Sequence, residues 1–165
     1  MQGRNVALHR LQGPMIFLAS ASHGLENLLG RGAPSITFGS GRKVGLKVEV
    51  AKRSNDLLEA LKILKEEMDR LGIHWPFEPH KKTSDAALIT INEKGAQEVK
   101  LAFQHCMVRS SLFRYGHPQK QSLCMMNHGL FCGMLEQILG CRANLEILHA
   151  GENACYKLLT VSPKK

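Results

Sequence analysis

Cys124-Met-Met-Asn-His-Gly129-Leu-Phe-Cys-Gly133-Met-Leu-Glu-Gln-Ile-Leu-Gly140, followed by Gly151-Glu-Asn-Ala-Cys155, is the stretch on which the fold turns. Leu123, Met126, Leu130, Met134 and Ile138 recur every three or four residues, the spacing of an α-helix, and Gly140 stands where a helix stops. Gly129 and Gly133 are four apart, hence on one face, and each costs about 1 kcal/mol against alanine. A helix carries that cost where another backbone comes close. Gly151 to Cys155 reads as a turn between two strand-like runs, 143–149 and 155–161. Helix, strand, turn and strand thus gather Cys124, Cys132, Cys141 and Cys155 in one region.

The chain before this stretch reads as helical, then extended. Pro14 to Leu29 has helical spacing and is ended by Gly30-Arg-Gly32. Pro34 opens a second helix, expected to run to about Ala51. Ser54-Asn-Asp56 is an N-cap with an acidic first turn. Leu57, Leu58, Leu61, Leu64, Met68 and Leu71 then form an apolar stripe that Gly72 closes. Ile73 to Pro79, rich in aromatics and prolines, is an edge strand at best. Residues 86–91 and 99–108 read as strands joined by a turn at Asn92–Gly95, and Ser110–Gln121 as a polar loop. The order α-α-α-β-β-β-α-β-β indicates an α+β fold: N-terminal helices packed on an antiparallel sheet, with a late helix before the last two strands. Residues 14–162 are expected to be a single domain, 1–13 an N-terminal extension and 163–165 a tail.

With 165 residues, the chain suits one domain with a real core. No apolar run approaches the roughly 18 residues of a membrane span. Arg4 and Arg10 precede Met15–Ala21 in the manner of a signal peptide, but that core is short and helical spacing continues past it. Five cysteines, an odd number without framework spacing, suit reduced thiols in a cytoplasmic protein. The net charge is +8, and no Asp or Glu occurs from Val99 to Leu135, a span holding Arg109, Arg114 and His128. Such a field attracts anions, whether a carboxylated small molecule, nucleic acid or an acidic partner; it also suits a solvated basic surface. Aromatic residues are only 5% and no nucleic-acid motif occurs, so specific nucleic-acid binding is not expected.

Cys124-x4-Gly129-Leu-x2-Gly133-x-Leu135-x2-Ile138-Leu-Gly140, a strand, then Gly151-Glu-x2-Cys155 resembles the vinyl-reductase-like (hydrocarbon-binding) domain family. Phe38-x2-Gly41-Arg42-x2-Gly45 resembles that family's early helix, and the capped helix from 54 to 71 fits as well. The resemblance covers nearly the whole chain. It implies a fold shared with haem-nitric-oxide sensors and with vesicle-tethering subunits of the transport-protein-particle (TRAPP) type, and a tendency to form homodimers through helices.

Sensor members of the family hold zinc through a cysteine before the late helix, a Glu-x-x-Cys on the next strand, and the cysteine after the turn. Cys124 and Cys155 match the outer two positions, whereas Asn144 and Ile147 stand where the middle pair would be. Cys124, Glu146, His149 and Cys155 form an alternative zinc set by ligand type. Glu146 and His149 are three apart on a strand, so they share a face only across a bulge. The other reading of the cysteines is small buried hydrophobes.

His128 lies one turn after Cys124, which allows a Cys–His pair, but no phosphate loop or carboxylate pair can be assembled. The chain is therefore expected to be no enzyme, and the resemblance implies a small-molecule-binding sensor or accessory protein, for a hydrophobic, aromatic or tetrapyrrole-type ligand. A pocket between helices and sheet would be lined by Phe17, Phe38, Phe103, Met126, Leu130 and Met134, with Arg109, Arg114, Tyr115 and His128 as polar anchors. The alternatives are an assembly adaptor with a filled core, and a metal- or thiol-dependent accessory to tetrapyrrole or redox metabolism.

Overall fold

The computed structural model describes residues 2–81, 87–104, 106, 108, 122–151 and 154–163, with side chains from residue 13 onward. Among the described residues the longer helices are α1 (Gln2–Leu29), α2 (Ala33–Gly45), α3 (Leu57–Arg70) and α4 (Ser122–Leu139). The five strands among the described residues are β1 (Phe77–Pro79), β2 (Ile89–Ile91), β3 (Gln97–Gln104), β4 (Ala143–Ala150) and β5 (Ala154–Val161). All pairings are antiparallel: β1 and β2 both pair with β3, which pairs with β5, which pairs with β4. The fold is α+β, with the late helix before the last two strands.

Two helix boundaries differ from the sequence reading. α1 begins well before Pro14, which lies inside the helix. α2 stops at Gly45 rather than near Ala51. Gln137 on α4 explains that stop, because its amide donates to the Gly45 carbonyl at 2.8 Å and to the Val48 carbonyl at 2.5 Å. A side chain thus takes carbonyls that a longer helix would have used itself. The cap of α3 is as read: the Asp56 carboxylate accepts from the Glu59 N–H at 2.8 Å, and Gly72 ends the helix at φ 75°. The Asn92 side chain accepts from the Lys94 and Ala96 N–H groups, which sets the β2–β3 turn.

The sheet has one wet and one buried face. Val99, Leu101 and Phe103 on β3 stand opposite Leu159, Lys157 and Cys155 on β5. On the other side of β5, Leu145 and Ile147 of β4 stand opposite Leu159 and Lys157. This inner face packs in one core with α3 and with Phe131, Cys132, Met134, Leu135 and Ile138 of α4.

The four glycines join α2 to α4. A Cβ at Gly41 would run into the Met126 carbonyl and one at Gly129 into the Phe38 carbonyl; Gly45 and Gly133 meet the same way at Leu130 and Arg42. Beside this seam Arg42 makes a two-pronged ion pair with Glu136, with Nε to Oε1 at 2.9 Å and Nη2 to Oε2 at 2.5 Å. Glu136 also accepts from the Ala143 N–H at 3.0 Å, so one carboxylate ties α2, α4 and the start of β4. At the other end of α4, Glu26 of α1 accepts from the Ser122 N–H at 2.9 Å. Its negative charge suits a helix N-terminus.

Candidate functional site

The interior under the sheet holds a charge where the sequence leads one to expect hydrocarbon. β5 alternates, with Cys155, Lys157, Leu159 and Val161 pointing inward. Lys157 is 2% exposed, and its Nζ lies 4.1 Å from the Trp75 ring centroid and 4.0 Å from that of Phe103. The ammonium therefore sits on a face shared by two rings whose centroids are 4.5 Å apart. Phe77 and Phe131 complete the aromatic wall, each within 5.9 Å of Phe103.

Above this wall stands His128, 1% exposed and stacked on Trp75 at 6.1 Å. Burial, and then the Lys157 charge, hold its pKa well below the usual histidine value, against a hydrogen bond with the Leu145 backbone. His128 is therefore neutral at pH 7. Burial likewise lowers Lys157 to about 8, while the thiols of Cys155, Cys106, Cys124 and Cys132 act in the opposite direction. Cys132 is pushed up to about 12, chiefly by burial. Two polar atoms of this cluster, Trp75 Nε1 and His128 Nδ1, are buried with no hydrogen-bond partner among the described residues. Such groups are rare in native interiors, where a side chain, a water or a ligand ordinarily satisfies them.

A separate apolar groove of about 410 Å³ runs between α1, α2 and α4, lined by Leu18, Val44, Val108, Leu123, Met126 and Leu130 among others. It borders Asn127, whose Nδ2 is buried and has no partner among the described residues.

The residues expected to line one pocket are divided among several places. Met126 and Leu130 line the groove. Phe103, His128 and Met134 are buried in the core. Phe17 is 73% exposed on α1, and Phe38 borders a shallow hollow with Arg42 and Asn144. Arg109, Arg114 and Tyr115, like the loop Ser110–Gln121, lie outside the described residues.

The alternative zinc set does not assemble. β4 does carry a bulge between Ile147 and His149, which brings Glu146 and His149 to one face. That face is the outer one, where His149 is paired with Tyr156, whereas Cys155 points inward. Among the described residues no group of three His, Cys, Asp or Glu side chains could hold a metal ion. Cys124 and Cys155 do share a neighbourhood, and its cation is Lys157.

Lys157 and Trp75 escaped the sequence reading. Parity alone finds Lys157: Leu159 and Val161 must face the core, so the residue two before Leu159 must also. Trp75 lies in the proline-rich approach to β1, where periodicity is silent.

No family model matches the chain, and no curated protein matches it. Among solved structures it is similar to the phenol-responsive sensory domain of the transcription activator PoxR, determined with phenol. The identity is 14% and the TM-score 0.61, over 90% of this chain and 74% of that one. The two share a fold. Among the described residues no helix is long and apolar enough to cross a membrane.

Proposed function

We propose that this chain is a non-catalytic, small-molecule-binding sensory domain of the vinyl-reductase-like kind, and that its ligand meets the Lys157–Trp75–Phe103–His128 cluster. The observation that carries this is a buried ammonium between two aromatic rings, beside two buried nitrogens with no partner among the described residues. A core built only for stability would hold a methionine or leucine there, since burying charge is costly. A phenol-responsive domain of the same fold supports the reading. The neutral, buried His128 offers no imidazolium to pair with a Cys124 thiolate, which supports binding without catalysis. All five cysteines are unbridged, which supports a cytoplasmic setting.

A thermal-shift screen of small aromatic, aliphatic and tetrapyrrole compounds tests this. A ligand at 100 times its Kd adds about 2.7 kcal/mol of stability, roughly 5–10 °C for a domain of this size. Phe103→Ala should abolish the shift. If no compound of any class moves the melting temperature, the ligand-binding reading fails.

One observation favours a second role, as an assembly surface for a homodimer or adaptor. Ile16, Phe17, Leu28, Ile36 and Val44 of α1 and α2 are large, apolar and exposed.

A further inference from the structure

We propose that the interior site takes a small aromatic carboxylate, a planar ring bearing a carboxyl group, held by the Lys157 ammonium between Trp75 and Phe103. This rests on the reading above that a ligand meets this cluster, and it names the ligand's class. Buried ammonium groups are ordinarily paired with carboxylates. Among the described residues Lys157 has no carboxylate partner, and the two buried acids are already engaged. Glu136 is held by Arg42 and the Ala143 N–H, and Glu67 by Arg70 and the Ala51 N–H. What lies against Lys157 instead is two ring faces, with the thiols of Cys155, Cys106, Cys124 and Cys132 within electrostatic reach.

The indole of Trp75, unpartnered among the described residues, points to the same chemistry. Trp75 Nε1 can only donate a hydrogen bond, and Lys157 has three donors and no acceptor. An anionic oxygen accepts from both, which a neutral ring cannot do equally well. The Trp75 and Phe103 faces beneath the ammonium, with Phe77 and Phe131 packed against them, select a flat apolar body over a flexible chain. In the unliganded protein the ammonium covers the shared face of Trp75 and Phe103. A ligand ring stacks on that face in its place, and the acid group draws the ammonium to the ring's edge.

Benzoate, its neutral isostere benzamide, and phenol are the probes, with affinity measured by calorimetry on the parent and on Lys157→Met. The expected result is that benzoate binds the parent at least tenfold tighter than benzamide or phenol. Lys157→Met, folded by circular dichroism, should lose that tenfold and bind benzamide as before. Benzamide or phenol binding as tightly as benzoate overturns the acid preference and leaves the binding reading intact. Benzoate binding that survives Lys157→Met places it on the basic surface and also overturns the proposal. If none of the three binds the folded parent, the proposal and the reading beneath it both fall.

Discussion

Gly45 and Gly133 oppose each other across the contact of α2 with α4, and a Cβ on either would stand 3.0 Å from the other's Cα. Two helices that meet this closely share backbone contacts, so the seam tolerates no side chain. The same step that brings the glycines together sets Arg42 beside Glu136.

The seam makes a sharp prediction. Gly41→Ala and Gly129→Ala each drive a methyl into a backbone carbonyl, which cannot swing aside, and should cost about 3 kcal/mol. Gly39, on the same helix as Gly41, has nothing within 4 Å of its would-be Cβ. Gly39→Ala should therefore stabilise by about 0.5–1 kcal/mol through helix propensity. Melting curves of the three variants decide the matter, and equal effects at Gly39 and Gly41 would refute the close approach.

The Arg42–Glu136 pair should show asymmetric costs. The Glu136 side chain is 6% exposed and that of Arg42 27%, so Arg42→Met strands a buried carboxylate with the Ala143 N–H still donating to it. That change should cost about 3 kcal/mol. Glu136→Gln keeps an acceptor for Ala143 and leaves behind a cation that can reach water, so it should cost less, about 1–2 kcal/mol. Denaturant unfolding of both variants gives the order, and a reversed order would mean that Glu136 is not the member held out of water.

Thiol chemistry follows burial. Cys132 is fully buried with its pKa near 12, whereas Cys124 and Cys141 are only half-buried. Iodoacetamide at pH 8 should modify Cys141 and Cys124 in the native protein, and Cys132 only after denaturant is added. Peptide mapping by mass spectrometry reads this directly. Native labelling of Cys132 at the rate of Cys141 would show that the α4–sheet interface opens.

If α1 and α2 present a dimer surface, Phe17→Asp should halve the mass measured by light scattering while leaving the melting temperature of the dilute protein nearly unchanged. The exposed ring makes no packing contribution to the monomer that its loss could remove. A parent that is monomeric at high concentration ends this reading.

The parts legible in the sequence are those where local chemistry decides. Asp56 and Gly72 bracket α3 by capping rules that need no tertiary knowledge, and the spacing of Gly129 from Gly133 announces a close neighbour before that neighbour is known. The early stop of α2 was not legible, because it depends on Gln137, distant in sequence. The zinc set failed for a similar reason. A bulge on β4 can be imagined from the sequence, but which face it serves is decided by register with β5. Lys157 was overlooked because a lysine is read as surface, although its strand parity places it inside.

Lys157 should govern the alkaline stability of the protein. Its folded pKa, about 8, lies below the usual lysine value of 10.5, because burial opposes the charge. Between these values the unfolded chain binds a proton that the folded chain has released. Stability contributed by this group therefore rises with pH across that window, by at most about 1.4 kcal/mol per unit, and the full charged-form penalty, about 3 kcal/mol, applies below pH 8. Cys132 acts in the opposite sense above pH 9, since its thiol keeps a proton in the folded state up to about 12. Comparing the parent with Lys157→Met cancels the cysteine, which both carry. The variant should be more stable than the parent at pH 7, and the difference should shrink steadily as pH rises from 8 to 10.5. Stability curves that run parallel through that range would show that the ammonium is solvated or paired, and that the interior charge is not where the fold places it.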